Sequence, residues 1–275
     1  MAQTATASGS ADRWGPLWGA RPEDWAANEE QQIPTYKEPI HRLGIRSGQR
    51  VLDLGCGSGV FLRLAADRGA EVFGLDGSEA LLRPARARVP EADLRVGDIQ
   101  FLPYDEDSFD LVTGFNSFFF AADMLAALRE SGRVAKPEAP IVIQVWGDPE
   151  RCDLEAMKAI ARPFMSTRPP DAPPPPDAPP PPELWKPGVL ESMASEAGLE
   201  PQTTFDVSWA FEYPDEDALG RGVMAAAGLA ELVGPSREAD VRRQIVEALA
   251  PHRTATGGYR LENEFHFLVA RPGRA

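Results

Sequence analysis

The sequence predicts an α/β protein: a doubly wound, mostly parallel seven-stranded sheet with helices on both faces and a helical lid. Three observations carry this. Short apolar runs alternate with helical stretches through the first 150 residues, the pattern of strands joined by crossover helices. One run, Pro140 to Trp146, is almost wholly apolar, as a strand buried on both faces must be. A glycine-rich turn, Gly55 to Gly59, directly follows the first strand of the series.

Residues 1–12 are small, polar and unpatterned, and read as a disordered tail. One domain is expected from 13 to 275. Its N-terminal arm, 13–45, opens with Gly15, Pro16, Gly19 and Pro22, which forbid a continuous helix. Trp14, Trp18 and Trp25 fall on one side of helical turns, so the arm packs against something. Ile33, Tyr36, Ile40 and Leu43 then share a helical face that Gly44 ends. Strands are predicted over 50–54, 71–75, 94–96, 109–114 and 140–146. Helices lie between them over 57–68, from the N-cap residue Ser78, and over 122–134. A helix over 150–161 precedes a Pro-rich insert, 168–183, built on a doubled Asp-Ala-Pro-Pro-Pro-Pro unit that reads as a polyproline II surface spacer. A helix over 189–197 stops at Gly198. Phe205, Val207, Trp209, Phe211 and Tyr213 alternate as a strand. Lid helices within 215–250 (215–232 and 237–249) and a final strand over 259–270 complete the domain.

Composition narrows the function. The 275 residues include 43% hydrophobic side chains, enough for a substantial core. The net charge of −14 repels phosphate backbones and argues against nucleic acid as a partner. Cys56 and Cys152 stand far apart without metal-ligand spacing, so no metal site and no disulfide framework is expected. The N-terminus lacks the pattern of a signal peptide, and nothing approaches the ~20 apolar residues of a membrane span. A cytoplasmic protein without membrane attachment is expected; oligomeric state is left open.

The chemistry is concentrated in Val51-Leu-Asp-Leu-Gly-Cys-Gly-Ser-Gly59. Glycines after a strand let the backbone approach a ligand closely. Dinucleotide-binding domains share that pattern, but two details differ. Val60 stands where their fingerprint wants Gly or Ala. Asp53, two residues before the first glycine, suits a positively charged ligand better than a pyrophosphate.

Asp53 to Gly59, as Asp-x-Gly-x-Gly-x-Gly, resembles motif I of the class I (Rossmann-like) S-adenosylmethionine-dependent methyltransferases, of the small-molecule type. Further segments follow in order. The resemblance implies S-adenosylmethionine as cofactor, held at motif I by Asp53, Gly55, Cys56, Gly57 and Gly59. Residues 71–76 resemble the second strand, whose terminal Asp76 would accept from both ribose hydroxyls. Gly77, Ser78 and Leu81 would sit beside the adenine. In Val96-Gly97-Asp98-Ile99, Asp98 would accept from the adenine amino group and Ile99 would flank the ring. Phe115, Asn116 and Ser117 would lie near the methionine moiety. Residues 132–137 resemble the Arg-Val-Leu-Lys-Pro-Gly-Gly turn, with Glu138 and Ala139 replacing the two glycines.

The implied activity is methyl transfer by in-line displacement to a small, largely apolar metabolite of the secondary-metabolism kind, with oxygen the favoured acceptor atom and nitrogen or carbon open. Met157, Phe164, Met165, Trp185, Met224 and Leu229 are expected to line the acceptor pocket. Phe115-Asn-Ser-Phe-Phe-Phe120 lacks the Asn/Asp-Pro-Pro-Phe/Tyr motif of amino-directed nucleic-acid enzymes. No signal singles out a catalytic base among His41, His252, His266, Glu30, Asp123 and Tyr36. The alternative is a protein that binds the cofactor without transferring methyl, a cyclase or a regulatory module.

Overall fold

A computed structural model describes residues 9–165 and 182–273; residues 1–8 of the expected tail and 168–181 of the Pro-rich insert lie outside the described residues. Seven strands form one sheet: β1 Arg50–Leu54, β2 Glu71–Asp76, β3 Asp93–Val96, β4 Leu111–Phe115, β5 Ile141–Trp146, β6 Leu199–Tyr213 and β7 Tyr259–Pro272. Their order is β3-β2-β1-β4-β5-β7-β6. The first five strands pair in parallel, and β7 runs antiparallel to both β5 and β6. The predicted fold class is therefore the observed one.

Helices cover both faces. On one face the core joins α3 (Ile33–Leu43), α4 (Val60–Ala66) and α5 (Glu79–Arg88) to α7 (Glu155–Met165) and the lid, through Tyr36, Phe61, Leu82 and Ala161. On the other face, α6 (Met124–Val134) and α8 (Val189–Glu196) bury Leu128, Val134 and Leu190 against Leu52, Val112 and Ile143. Alternate residues of β5 feed the two cores, which explains its nearly continuous apolar run.

Four expectations change. The tail does not extend to residue 12: Ser10, Ala11 and Asp12 form the first turn of α1 (Ser10–Trp18). Of the four expected breakers, Gly15 and Pro16 lie within α1, and only Gly19 and Pro22 break the arm, separating α1 from α2 (Pro22–Glu29). The helix expected over 215–232 is two, α9 (Glu216–Ala225) and α10 (Leu229–Val233), ahead of α11 (Glu238–Ala248). The break falls at Ala227 (φ 52°) and Gly228 (φ 66°), where a Cβ on Gly228 would lie 2.4 Å from the Leu17 carbonyl oxygen of α1. Packing against the arm overrides the helix propensity of an Ala-rich run. Strand β6 begins six residues before the predicted one; Pro201 is tolerated there because β6 is an edge strand.

Candidate active site

The sheet order reverses between β1 and β4, so the chain leaves these neighbouring strands in opposite directions and opens a crevice at their carboxyl ends. A cavity of about 440 Å³ lies there. Among the sequence-predicted residues, Gly55, Gly57, Asp76, Gly77, Leu81, Gly97, Asp98, Ile99, Phe115, Asn116 and Ser117 line it.

Asp53, Cys56, Gly59 and Ser78 stand behind that wall. Asp53 is buried and accepts from Thr113 Oγ1 at 2.7 Å, tying β1 to β4. Burial pushes its carboxyl well above the usual range, against the Thr113 bond that favours the charged form. Cys56 packs against Gly74 of β2. Gly59, at φ 79°, caps α4, and a Cβ there would meet the Ala85 Cβ of α5 at 3.2 Å, so this glycine serves helix packing. Ser78 caps α5 by accepting from Leu81 N at 3.3 Å.

One end of the cavity is acidic. Asp76 accepts from Gly57 N at 2.9 Å and Ser78 N at 2.8 Å, which fixes the carboxylate at the strand end. Burial raises its pKa and these two bonds oppose the rise. Glu29, the last residue of α2, reaches the same turn and accepts from Ser58 N at 2.8 Å. Gly57 takes φ 53° beside it, and a Cβ at that position would lie 2.8 Å from Glu29 Oε2. Glu29 is 4% exposed, and burial pushes its pKa up to about 7, with Ser58 and Arg88 opposing. Asp98 accepts from Ser10 Oγ and Ala11 N through Oδ2, and from the Gln100 amide and side chain through Oδ1, so it caps α1. Burial acts to raise its pKa, but these bonds outweigh it and hold the carboxyl low. Asn116, at φ 52°, leaves Oδ1 without a partner, and so does Ser117 Oγ.

The other end is aromatic. Trp18 meets Trp25 edge-on at 4.5 Å between centroids, and Trp14 meets Phe120 at 4.9 Å. These three tryptophans, Phe119 and Phe120 line the cavity together with Trp146, Met157, Phe211 and Leu229. Of the expected acceptor residues, Met157 and Leu229 are brought here. Met224 is fully buried in the core, Phe164 lies under Arg237 outside the cavity lining, and Trp185 borders a separate depression with Asp148 and Lys186. The side chain of Met165 is outside the described residues.

The candidate bases are dispersed. His41 is exposed on α3, His252 faces Asp153 at 3.1 Å, and His266 Nδ1 meets Asp206 Oδ1 at 2.7 Å; none lines the cavity. Glu30 pairs with Arg88, and Asp123 caps α6. Tyr36 is buried and lines the cavity beside Phe115, at 4.6 Å between ring centroids. Sequence reading missed Glu29, Gln32 and Lys158, which also line it. A signal existed for two of them. Trp25, Glu29, Gln32 and Tyr36 recur at helical spacing, so two polar residues interrupt an aromatic stripe.

The acidic end fits S-adenosylmethionine. Its carboxylates and unpartnered oxygens are acceptors, matching a ligand that carries hydroxyl and ammonium donors and a sulfonium charge. Among the described residues no helix is long and apolar enough to cross a membrane, and no group of three or more acidic, His or Cys side chains is placed to hold a metal.

Residues 52–143 match the model of a methyltransferase domain. A Mycolicibacterium smegmatis protein, named a probable S-adenosylmethionine-dependent methyltransferase, is 35% identical over 123 residues, 44% of this chain and 48% of that one. The demethylmenaquinone methyltransferase of Renibacterium salmoninarum is 34% identical over 110 residues, 40% of this chain and 46% of the relative. The chain thus spans about half the length of the curated relatives it matches. The crystal structure of YcgJ from Bacillus subtilis superposes with a TM-score of 0.58 at 18% identity, over 87% of this chain and 98% of that one, a likeness of fold. The matched segment runs from the middle of β1 to the middle of β5 and contains the glycine turn, Asp76, Asp98 and the Asn116 loop: residues 52–143 of this chain are a methyltransferase domain, set in a Rossmann-like α/β fold.

Proposed function

We propose that the protein transfers the methyl group of S-adenosylmethionine to a small, largely apolar acceptor, with oxygen as the acceptor atom. The observation that carries this reading is the cavity itself, in which an acidic end at the glycine turn continues into a pocket of tryptophans and phenylalanines. In this reading Asp76 accepts from the ribose hydroxyls, Leu81 and Ile99 flank the adenine, and Asn116 and Ser117 receive the methionine ammonium. Asp53, Cys56, Gly59 and Ser78 hold the wall in shape. Residues 10–165 and 182–273 act as one domain, whose arm and lid exclude water from the reacting atoms.

When bound, the cofactor supplies an electrophilic methyl on a sulfonium. The chain's own task is to align an acceptor oxygen with it. The aromatic end orients a planar or apolar molecule, and the acidic end favours the positive charge before transfer. Two relatives are named demethylmenaquinone methyltransferase, and a quinone acceptor would be in keeping with such a pocket. The test is incubation with methyl-labelled cofactor and a panel of apolar hydroxylated aromatics. Label in an O-methyl product supports the reading. Tight cofactor binding without transfer to any acceptor overturns it.

A further inference from the structure

Lys158, on α7, is a cation that lines the cavity together with Trp146, Met157 and Leu229. Its side chain is 27% exposed, and Nζ stands 4.0 Å from the centroid of the Trp146 ring, over its face. Glu155 Oε2 lies 3.3 Å away, but Glu155 also pairs with Arg162, which lines the same cavity. One carboxylate therefore faces two cations. Burial pulls the pKa of the Lys158 ammonium down, and Glu155 opposes that fall; burial likewise pushes up the Cys152 thiol, the other titratable group beside it. The side chains of Leu154, Met157 and Leu229 around this part of the cavity are apolar. A half-compensated ammonium in such surroundings is stabilised by a second anion.

We propose that Lys158 is the oxyanion seat of the acceptor subsite, and that the acceptor is an aromatic compound with an acidic hydroxyl, bound as its phenolate at Nζ. This rests on the methyltransferase reading above and names the substrate class for it. In a cavity walled by Trp14, Trp18 and Phe120, a phenol binds as a neutral molecule and loses its proton to water only beside the ammonium. A carboxylate would have to enter that apolar wall already as an anion. Trp146 offers a flat wall next to the charge, which suits an oxygen carried on a ring. In the transfer, a lone pair of the phenolate oxygen forms the new O–C bond, the pair of the broken S–C bond stays on sulfur, and Lys158 keeps its proton throughout.

The experiment uses the full chain saturated with S-adenosylhomocysteine and para-nitrophenol as probe, whose ionisation is read by absorbance across pH. The bound probe is expected to ionise about one pH unit lower than the free probe, a tenfold shift in the acid constant. Lys158→Arg should keep that shift and Lys158→Met should abolish it, with both variants binding S-adenosylmethionine like the wild type in calorimetry. An equal shift in Lys158→Met overturns the proposal, as does failure of the wild type to bind the probe. Tighter binding of para-nitrobenzoate than of para-nitrophenol, lost in Lys158→Met, overturns the phenol assignment in favour of a carboxylate. Failure of the wild type to bind S-adenosylmethionine at all breaks the methyltransferase reading instead, so the two failures are distinguishable.

Discussion

The two ends of the cavity are built by different means. At the acidic end, Asp76, Asp98 and Asn116 stand at strand ends and the turns after them, Glu29 alone reaches in from helix α2, and backbone amides fix the carboxylates: Gly57 and Ser78 hold Asp76, and Ser58 holds Glu29. At the aromatic end, side chains from helices at opposite ends of the chain meet, Trp18 and Trp25 from the arm and Leu229 from the lid. The difference teaches where substitutions are tolerated. A turn held by a parallel ladder changes shape only if the sheet does, whereas a wall of helix-borne side chains is remodelled one residue at a time.

The largest expected effect lies at the acidic end. Asp76→Ala should weaken cofactor binding by about 4 kcal/mol, roughly three orders of magnitude, because charge-assisted bonds are lost. Calorimetry checks this, and unchanged affinity would falsify the ribose assignment and make the two ends alike. Glu29 comes next. Its carboxyl holds a proton up to about pH 7 in the folded chain, against an ordinary value of 4.5. The stability this contributes is full below the unfolded value and is lost as pH rises through 7. Glu29→Gln should therefore remove that slope and stabilise the protein by roughly 3 kcal/mol at about pH 8, read by urea unfolding. The same variant should weaken binding of the cationic cofactor; tighter binding would show that Glu29 repels the ligand.

Trp18→Ala probes the other end. It should raise the acceptor KM about tenfold while changing cofactor affinity less than about threefold, since the Trp18–Trp25–Phe120 edge contacts belong to the aromatic wall. Equal loss of both affinities would mean that the ends are not separable. The smallest effect is a control outside both. Glu138 takes φ 65° in the turn where the resembling motif has glycine, and pairs with Arg271. Glu138→Gly should raise stability by up to about 1 kcal/mol in thermal unfolding, with neither affinity altered.

The acidic end was the legible one, because its residues are contiguous in short motifs and a strand-turn-helix places them without distant help. Even there, Asp98 differs from its reading in company: the N-terminus of α1 occupies it, and residues 10–12 read as tail. Nothing in a small polar segment announces a partner nearly ninety residues away. The three tryptophans were legible as a stripe, whereas Met224 and Phe164 were not separable by hydrophobicity from true lining residues. Glu29 and Glu30 show the limit well. Adjacent identical side chains point about 100° apart on a helix, so one enters the cavity and its neighbour meets Arg88 in solvent.

Strand β7 lies between β5 and β6. For a chain emerging from the ribosome, all fifteen residues of β6 therefore wait for a partner that begins at Tyr259, after the whole lid has been made. Until then β5 is an apolar edge, open to pairing with another chain. Synthesis that stalls within the lid would leave a nascent protein with most of its cofactor motifs already translated and half its sheet unclosed, a natural client for chaperones.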